Sequence, residues 1–115
     1  MTSIRQIVRC ITALAMLVMA SCTPPPTEEE IQEEFDQAVE QANACESDED
    51  CVLIYPGCPL GCWAAVNADY EDQIRALAQS LILDWQRGGQ SCDYGCTEAD
   101  VACTNNECEV VELVY

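Results

Sequence analysis

Eight cysteines fall between positions 45 and 108, at Cys45, Cys51, Cys58, Cys62, Cys92, Cys96, Cys103 and Cys108, and they constrain this chain more than any other feature. An even set at close spacing in a short exported chain reads as a disulfide framework of four bridges. Residues 28–115 leave only 88 positions for a core, a size at which hydrophobic burial alone is marginal and covalent staples contribute much of the stability. The rival reading is zinc held by Cys58-Pro-Leu-Gly-Cys62 and Cys92-Asp-Tyr-Gly-Cys96. Its three-residue spacers lack the tight two-residue form of zinc knuckles, and an oxidising compartment favours disulfides over thiolate ligands. Redox catalysis is weaker still: no C-x-x-C motif is present, and the neighbouring Asp93 and Glu98 disfavour a reactive thiolate.

The evidence for export lies at the N-terminus. Arg5 and Arg9 precede the apolar run from Ile11 to Met19, and the small residues Ala20 and Ser21 stand before Cys22. This is a positive n-region, a short h-region and a cleavage site. The apolar run is too short to span a bilayer, which takes about 20 residues. Leu17-Val18-Met19-Ala20-Ser21-Cys22 resembles the lipobox of bacterial lipoproteins. That resemblance implies cleavage before Cys22 and lipidation of its thiol; Met19 departs from the usual leucine. Thr23 replaces the aspartate that retains family members in the inner membrane, so the implied location is the outer membrane, on its periplasmic or cell-surface face. The expected organisation is therefore a lipoprotein signal peptide over 1–21, a lipidated cysteine with a proline-rich tether over 22–27, and a disulfide-stabilised domain over 28–115. Pro24, Pro25 and Pro26 favour extended polyproline II and a semi-rigid spacer. Loosely, the layout resembles small cysteine-rich lipoproteins of unknown activity.

Charge narrows the function. All 21 Asp and Glu follow residue 21, where Arg75 and Arg87 are the only cations, so this part of the chain carries −19. Such a surface repels nucleic acid. The sequence has no His and no Lys, which removes the commonest general base, metal ligand and amine nucleophile. A serine or threonine nucleophile would lack its usual base, so the expectation is a protein that is not an enzyme and needs no cofactor or metal.

Hydrophobic spacing gives a small disulfide-rich α+β domain, with two helices packed on a short antiparallel sheet of three or four strands. Thr27 and Glu30 form a capping box, and Ile31, Phe35, Ala38, Val39 and Ala42 recur at helical spacing, predicting a helix over 28–44. The run 51–55 reads as a strand covered on both faces. A partner strand over 62–66 is expected, although Trp63, Val66 and Tyr70 also fit an extension of the next helix. That second helix is capped by Asn67 or Asp69, carries Tyr70, Ile74, Leu77, Leu81 and Trp85 as its apolar stripe, with Ala78 and Ile82 beside it, and stops at Arg87-Gly88-Gly89. Leu83 lies off the stripe. Residues 101–115 read as a hairpin with a type I′ turn at Asn105-Asn106, setting Cys103 opposite Cys108, and with a bulge or two-sided cover where alternation slips at Val110-Val111. For the bridges, the 58/62 and 92/96 pairs are expected to bond with each other, and Cys103 to bond Cys108 unless both are anchored on nearby strands.

Two loops are candidates for recognition. Pro56, Gly57, Pro59, Leu60 and Gly61 would hold Leu60 in a rigid exposed bend suited to a protease-inhibitor loop or a binding hot spot. Cys45-Glu46-Ser47-Asp48-Glu49-Asp50-Cys51 offers four carboxylates to a cation such as calcium, but without the spacing or glycine of an EF-hand. Together these features point to a lipid-anchored envelope protein acting as a non-enzymatic binding or structural module with a protein or glycan partner. The alternatives are a disulfide-stabilised protease inhibitor presenting 56–61, or a divalent-cation-binding module.

Overall fold

The computed structural model describes residues 23–113; residues 1–21, expected to be a signal peptide, and Cys22, Val114 and Tyr115 lie outside the described residues. The elements are α1 (Glu28–Gln41), β1 (Cys51–Ile54), β2 (Ala64–Asn67), α2 (Glu71–Gln86), β3 (Ala99–Thr104) and β4 (Glu107–Glu112), with 3₁₀ turns at Asp48–Asp50 and Ala68–Tyr70. This is a small disulfide-rich α+β domain, in which the strands form two separate antiparallel ladders, β1–β2 and β3–β4, rather than one sheet of three or four strands.

Helix α1 starts where the capping box places it. The Glu30 N–H donates to Thr27 Oγ1 at 3.1 Å while the Thr27 N–H donates to the Glu30 carboxylate at 3.3 Å. Three glutamates in the first turn face the positive end of the helix dipole. The helix ends at Gln41, short of the expected residue 44, because the following backbone bonds elsewhere. The Ala42 carbonyl accepts the Asn67 N–H at 2.8 Å, the Asn43 carbonyl accepts the Cys108 N–H at 2.7 Å, and the Cys45 N–H donates to the Asn106 carbonyl at 3.0 Å. This short extended segment joins the two ladders without becoming a full strand of either.

The second region is a strand and not a helical extension, but it begins at Ala64, so Cys62 and Trp63 belong to the loop before it. Cys51 pairs with Asn67 and Ile54 with Ala64. Successive strand residues point to opposite faces. Val52 and Ile54 therefore turn toward the helices, while Cys51 turns toward the second hairpin with Ala65. Tyr55 lies past the strand end and is exposed.

In α2, Ile74, Ala78, Leu81 and Trp85 are buried against Ile31 and Phe35 of α1, and Leu77 is partly buried beside them. Tyr70 departs from the stripe and is 43% exposed, because residues 68–70 wind as a 3₁₀ turn whose three-residue period rotates it off the α-helical face. Asn67 caps that turn, accepting the Asp69 N–H. Arg87 closes the helix, and Gly89 turns the chain at φ 83°. Leu83 is exposed.

The C-terminal hairpin has the expected turn, with Asn105 at φ 53° and Asn106 at φ 65°. Its register runs unbroken from Thr104↔Glu107 to Ala99↔Glu112. No bulge interrupts Val110 and Val111: both are exposed, so the lost alternation reflects an apolar strand left open to solvent rather than cover on both faces.

The bridges are Cys45–Cys103, Cys51–Cys108, Cys58–Cys92 and Cys62–Cys96. Bonding between the 58/62 and 92/96 pairs is as expected; a direct Cys103–Cys108 bond is not formed. Those two cysteines share one face of the hairpin, and there they meet the two ends of the acidic loop, Cys45 and Cys51. Each strand of the hairpin is thus stapled to one end of that loop. We expect a non-reducing Glu-C digest to release peptides joined 45–103 and 51–108; a 103–108 link would overturn the pairing. The double variant Cys51→Ser/Cys108→Ser should lose about 2–5 kcal/mol in urea denaturation.

Candidate functional site

The 56–61 loop leaves β1 at the end of the domain where α1 begins. Gly57 adopts φ 96° and its carbonyl accepts the N–H groups of Leu60 at 2.7 Å and Gly61 at 3.2 Å. The Cys58–Pro59 peptide is cis. Pro56 and Pro59 are buried, Leu60 is half-buried against the helical core, and the Pro59 carbonyl accepts the Gln32 side-chain amide of α1 at 2.9 Å. The loop therefore differs from the exposed bend expected of an inhibitor. Its apolar tip is drawn inward because the helix pair leaves its end uncovered, and Pro59 with Leu60 closes it. A Cβ on Gly57 would lie 3.3 Å from Ile82 Cδ1, so this glycine is required both by its φ and by close packing.

Beside this plug, Cys58–Cys92 and Cys62–Cys96 bind the loop to the segment after α2. Trp63 meets Tyr55 edge to face with ring centroids 6.1 Å apart, and its indole N–H donates to the Thr97 carbonyl at 2.8 Å. Tyr55, Pro56, Gln79, Ile82 and Leu83 line a shallow surface cavity of about 370 Å³. Arg75 stands at its rim, paired with Glu71 at 2.9 Å.

At the opposite end, the acidic loop turns its carboxylates on backbone. Asp50 Oδ2 accepts the N–H groups of Glu46 at 2.8 Å and Ser47 at 3.1 Å, and these bonds hold its carboxyl below its ordinary pKa of 3.8. Asp48 Oδ1 accepts the Cys103 N–H of the hairpin at 2.7 Å. Two of the four carboxylates are therefore structural acceptors, not free cation ligands converging on one point. The sulfurs of Cys45, Cys51 and Cys108 lie within 4.8 Å of one another, a metal-like grouping. All three are consumed in bridges, and a disulfide sulfur supplies no thiolate. The same holds for the four sulfurs of the zinc reading, which pair across as 58–92 and 62–96.

Sequence reasoning missed three contacts that position these loops: Gln32 to Pro59, Trp63 to Thr97 and Asp48 to Cys103. Each spans 27 to 55 residues between an ordinary polar side chain and a backbone group, and no local pattern marks such a pair. Among the described residues no helix is long and apolar enough to cross a membrane. Comparison with protein-family models, with curated proteins and with solved structures finds no match to this chain.

Two outcomes follow from this geometry. Gly57→Ala should cost about 1–2 kcal/mol of stability, from the strained φ, checked by thermal melting. Because the folded-state pKa of Asp50 is depressed, its contribution is present above its unfolded pKa and is lost as pH falls below about 4. Protection factors for amide exchange, taken relative to the intrinsic rate at each pH, should therefore fall selectively at Glu46 and Ser47 in acid, and Asp50→Ala should show the same loss of protection already at pH 6.

Proposed function

We propose that the protein is a lipid-anchored component of the bacterial cell envelope, a non-enzymatic binding or structural module held at the outer membrane through Cys22. The observation that carries this reading is the set of four disulfides, which form and persist in an oxidising compartment outside the cytoplasm. It agrees with the charged, apolar and small-residue succession ending in Ala20-Ser21-Cys22. Two or more acyl chains on one cysteine give a stable anchor with no help from the protein surface. None would come from a domain this acidic, which anionic headgroups repel.

The route of the tether supports an orientation. Pro25 packs beside Gly88, next to the C-terminus of α2, and the chain then enters α1. Helix α1 runs 14 residues, or about 20 Å, and delivers the chain to the acidic loop and the Asn105-Asn106 turn. Anchored at Cys22, the 56–61 plug stands on the tether side and the acidic loop on the far side. A loop that fills the core and sits near the bilayer is poorly placed to enter a protease cleft, so the geometry favours a binding module over an inhibitor.

The test is Cys22→Ser in the producing cell. Fatty-acid labelling should disappear and the protein should move from the membrane to the soluble envelope fraction. Unchanged membrane association would overturn the anchor.

A further inference from the structure

We propose that the outer edge of β4 is a docking strand that takes an extended cationic peptide segment by strand addition; this rests on the binding-module reading and names its partner class. In an antiparallel pair, directly opposed residues alternate between exchanging hydrogen bonds and pointing them outward. Cys103 and Cys108 are opposed, and their N–H groups bond outside the ladder, to Asp48 and to Asn43. By alternation, Val101↔Val110 and Ala99↔Glu112 also point their N–H and C=O groups outward.

The two edges are treated differently. On β3, Asp48 covers the Cys103 N–H, and the Asp100 carboxylate turns back onto the Val101 N–H at 2.8 Å. On β4, Ala44 bridges to Glu107 and Asn43 covers Cys108, and beyond them no described strand or bridge continues. The N–H and C=O groups of Val110 and Glu112 are left as a template for a further strand. Residues 109–113 are exposed throughout, including Val110, Val111 and Leu113. An open edge carrying exposed apolar side chains is the feature that strand-adding partners use.

Charge selects the occupant. Glu107, Glu109 and Glu112 flank the edge in a domain whose two arginines are already paired, Arg75 with Glu71 and Arg87 with Asp84. A second copy would bring another row of glutamates and a second strongly negative domain to the same edge, and that like-charge repulsion opposes self-pairing. The position opposite Glu107 is taken by Ala44, so lysine or arginine opposite Glu109 on the solvent face, with β-branched residues opposite Val110 on the other face, answers both charge and apolar surface.

The probe is a labelled, end-capped octapeptide alternating lysine and valine, titrated by fluorescence anisotropy against the oxidised full chain in neutral detergent micelles. We expect saturable binding, with amide-exchange protection gained at Val110 and Glu112. The same peptide N-methylated at alternate amides keeps its charge but cannot donate to the edge, and should bind about tenfold more weakly. Val110→Pro removes one outward N–H without touching a ladder bond, and Glu109→Lys reverses an exposed charge; each should weaken binding about tenfold. Should Val110→Pro disturb the disulfide map, the N-methylated peptide on the unaltered chain decides. Equal binding of the N-methylated peptide, protection elsewhere, no binding, or self-association of the chain through β4 would overturn the proposal. None of these outcomes alters the fractionation of Cys22→Ser, so failure of the docking strand and failure of the anchor are distinguishable.

Discussion

Cys45–Cys103 and Cys51–Cys108 are the covalent hold on the C-terminal hairpin, beside a few hydrogen bonds from Asn43, Cys45 and Asp48. The main core is a set of aliphatic and aromatic side chains from both helices and the first ladder, whereas the second cluster consists of Cys45, Cys51, Ala65 and Cys108, with Val101 and Cys103 beside it. A hairpin on its own is at best marginally stable in water, and this one offers mostly cystine sulfur to its neighbours. The bridges close spans of 58 and 57 residues, each worth about 4 kcal/mol in the chain-entropy description and not additive, since the spans overlap. Placement of the acidic loop, the Asn105-Asn106 turn and the outer strand β4 all depends on this pair.

With the hairpin stapled, carboxylates take over work that apolar contacts cannot do. Thr27 and Glu30 cap α1, Asp50 closes the acidic loop on its own amides, and Asp48 reaches across to the hairpin edge. None of these acids is buried, and no side-chain polar atom is left buried without a partner among the described residues. Exposed carboxylates on backbone N–H groups carry little desolvation cost, which is how a chain with so many acids folds without cations to match them. The residual like-charge repulsion is a further load on the bridges, and both described arginines relieve it only locally, within α2 and at its end.

The parts of this fold that are legible in the sequence are those set by local chemistry. Thr27 and Glu30 mark the start of α1, Arg87-Gly88-Gly89 the end of α2, and Asn105-Asn106 the hairpin turn, each through a backbone requirement that few residues meet. The expected bonding of the 58/62 pair with the 92/96 pair is met as Cys58–Cys92 and Cys62–Cys96, although the sequence leaves open which cysteine of one pair meets which of the other. What is illegible comes from long-range competition. Nothing near residue 42 says that its carbonyl will be taken by Asn67, so α1 reads three residues too long. The Val110-Val111 pair reads as a bulge or a doubly covered strand because sequence alternation cannot distinguish a buried apolar residue from one left exposed. Leu60 reads as exposed because its loop is rich in proline and glycine, yet the open end of the helix pair is an apolar demand that this loop meets.

That demand also decides how surface is divided between folding and recognition. Pro59 and Leu60 cannot close the core and reach into a partner at once, and withdrawing them would uncover part of the helical core that Leu60 packs against. Asp48 and Asp50 are likewise committed, one to the hairpin and one to its own loop. Surface free for a partner includes shallow cavities, such as those beside Tyr55, Tyr70 and Pro26, and the β4 edge beyond Cys108. Of these, only the edge leaves backbone groups of fixed direction unanswered, and a hydrogen-bonding group of fixed direction imposes register on whatever binds, which a shallow apolar surface does not. The same bridges that substitute for a core under the hairpin keep that edge in place, because Cys108 is anchored to β1 only two residues before Val110.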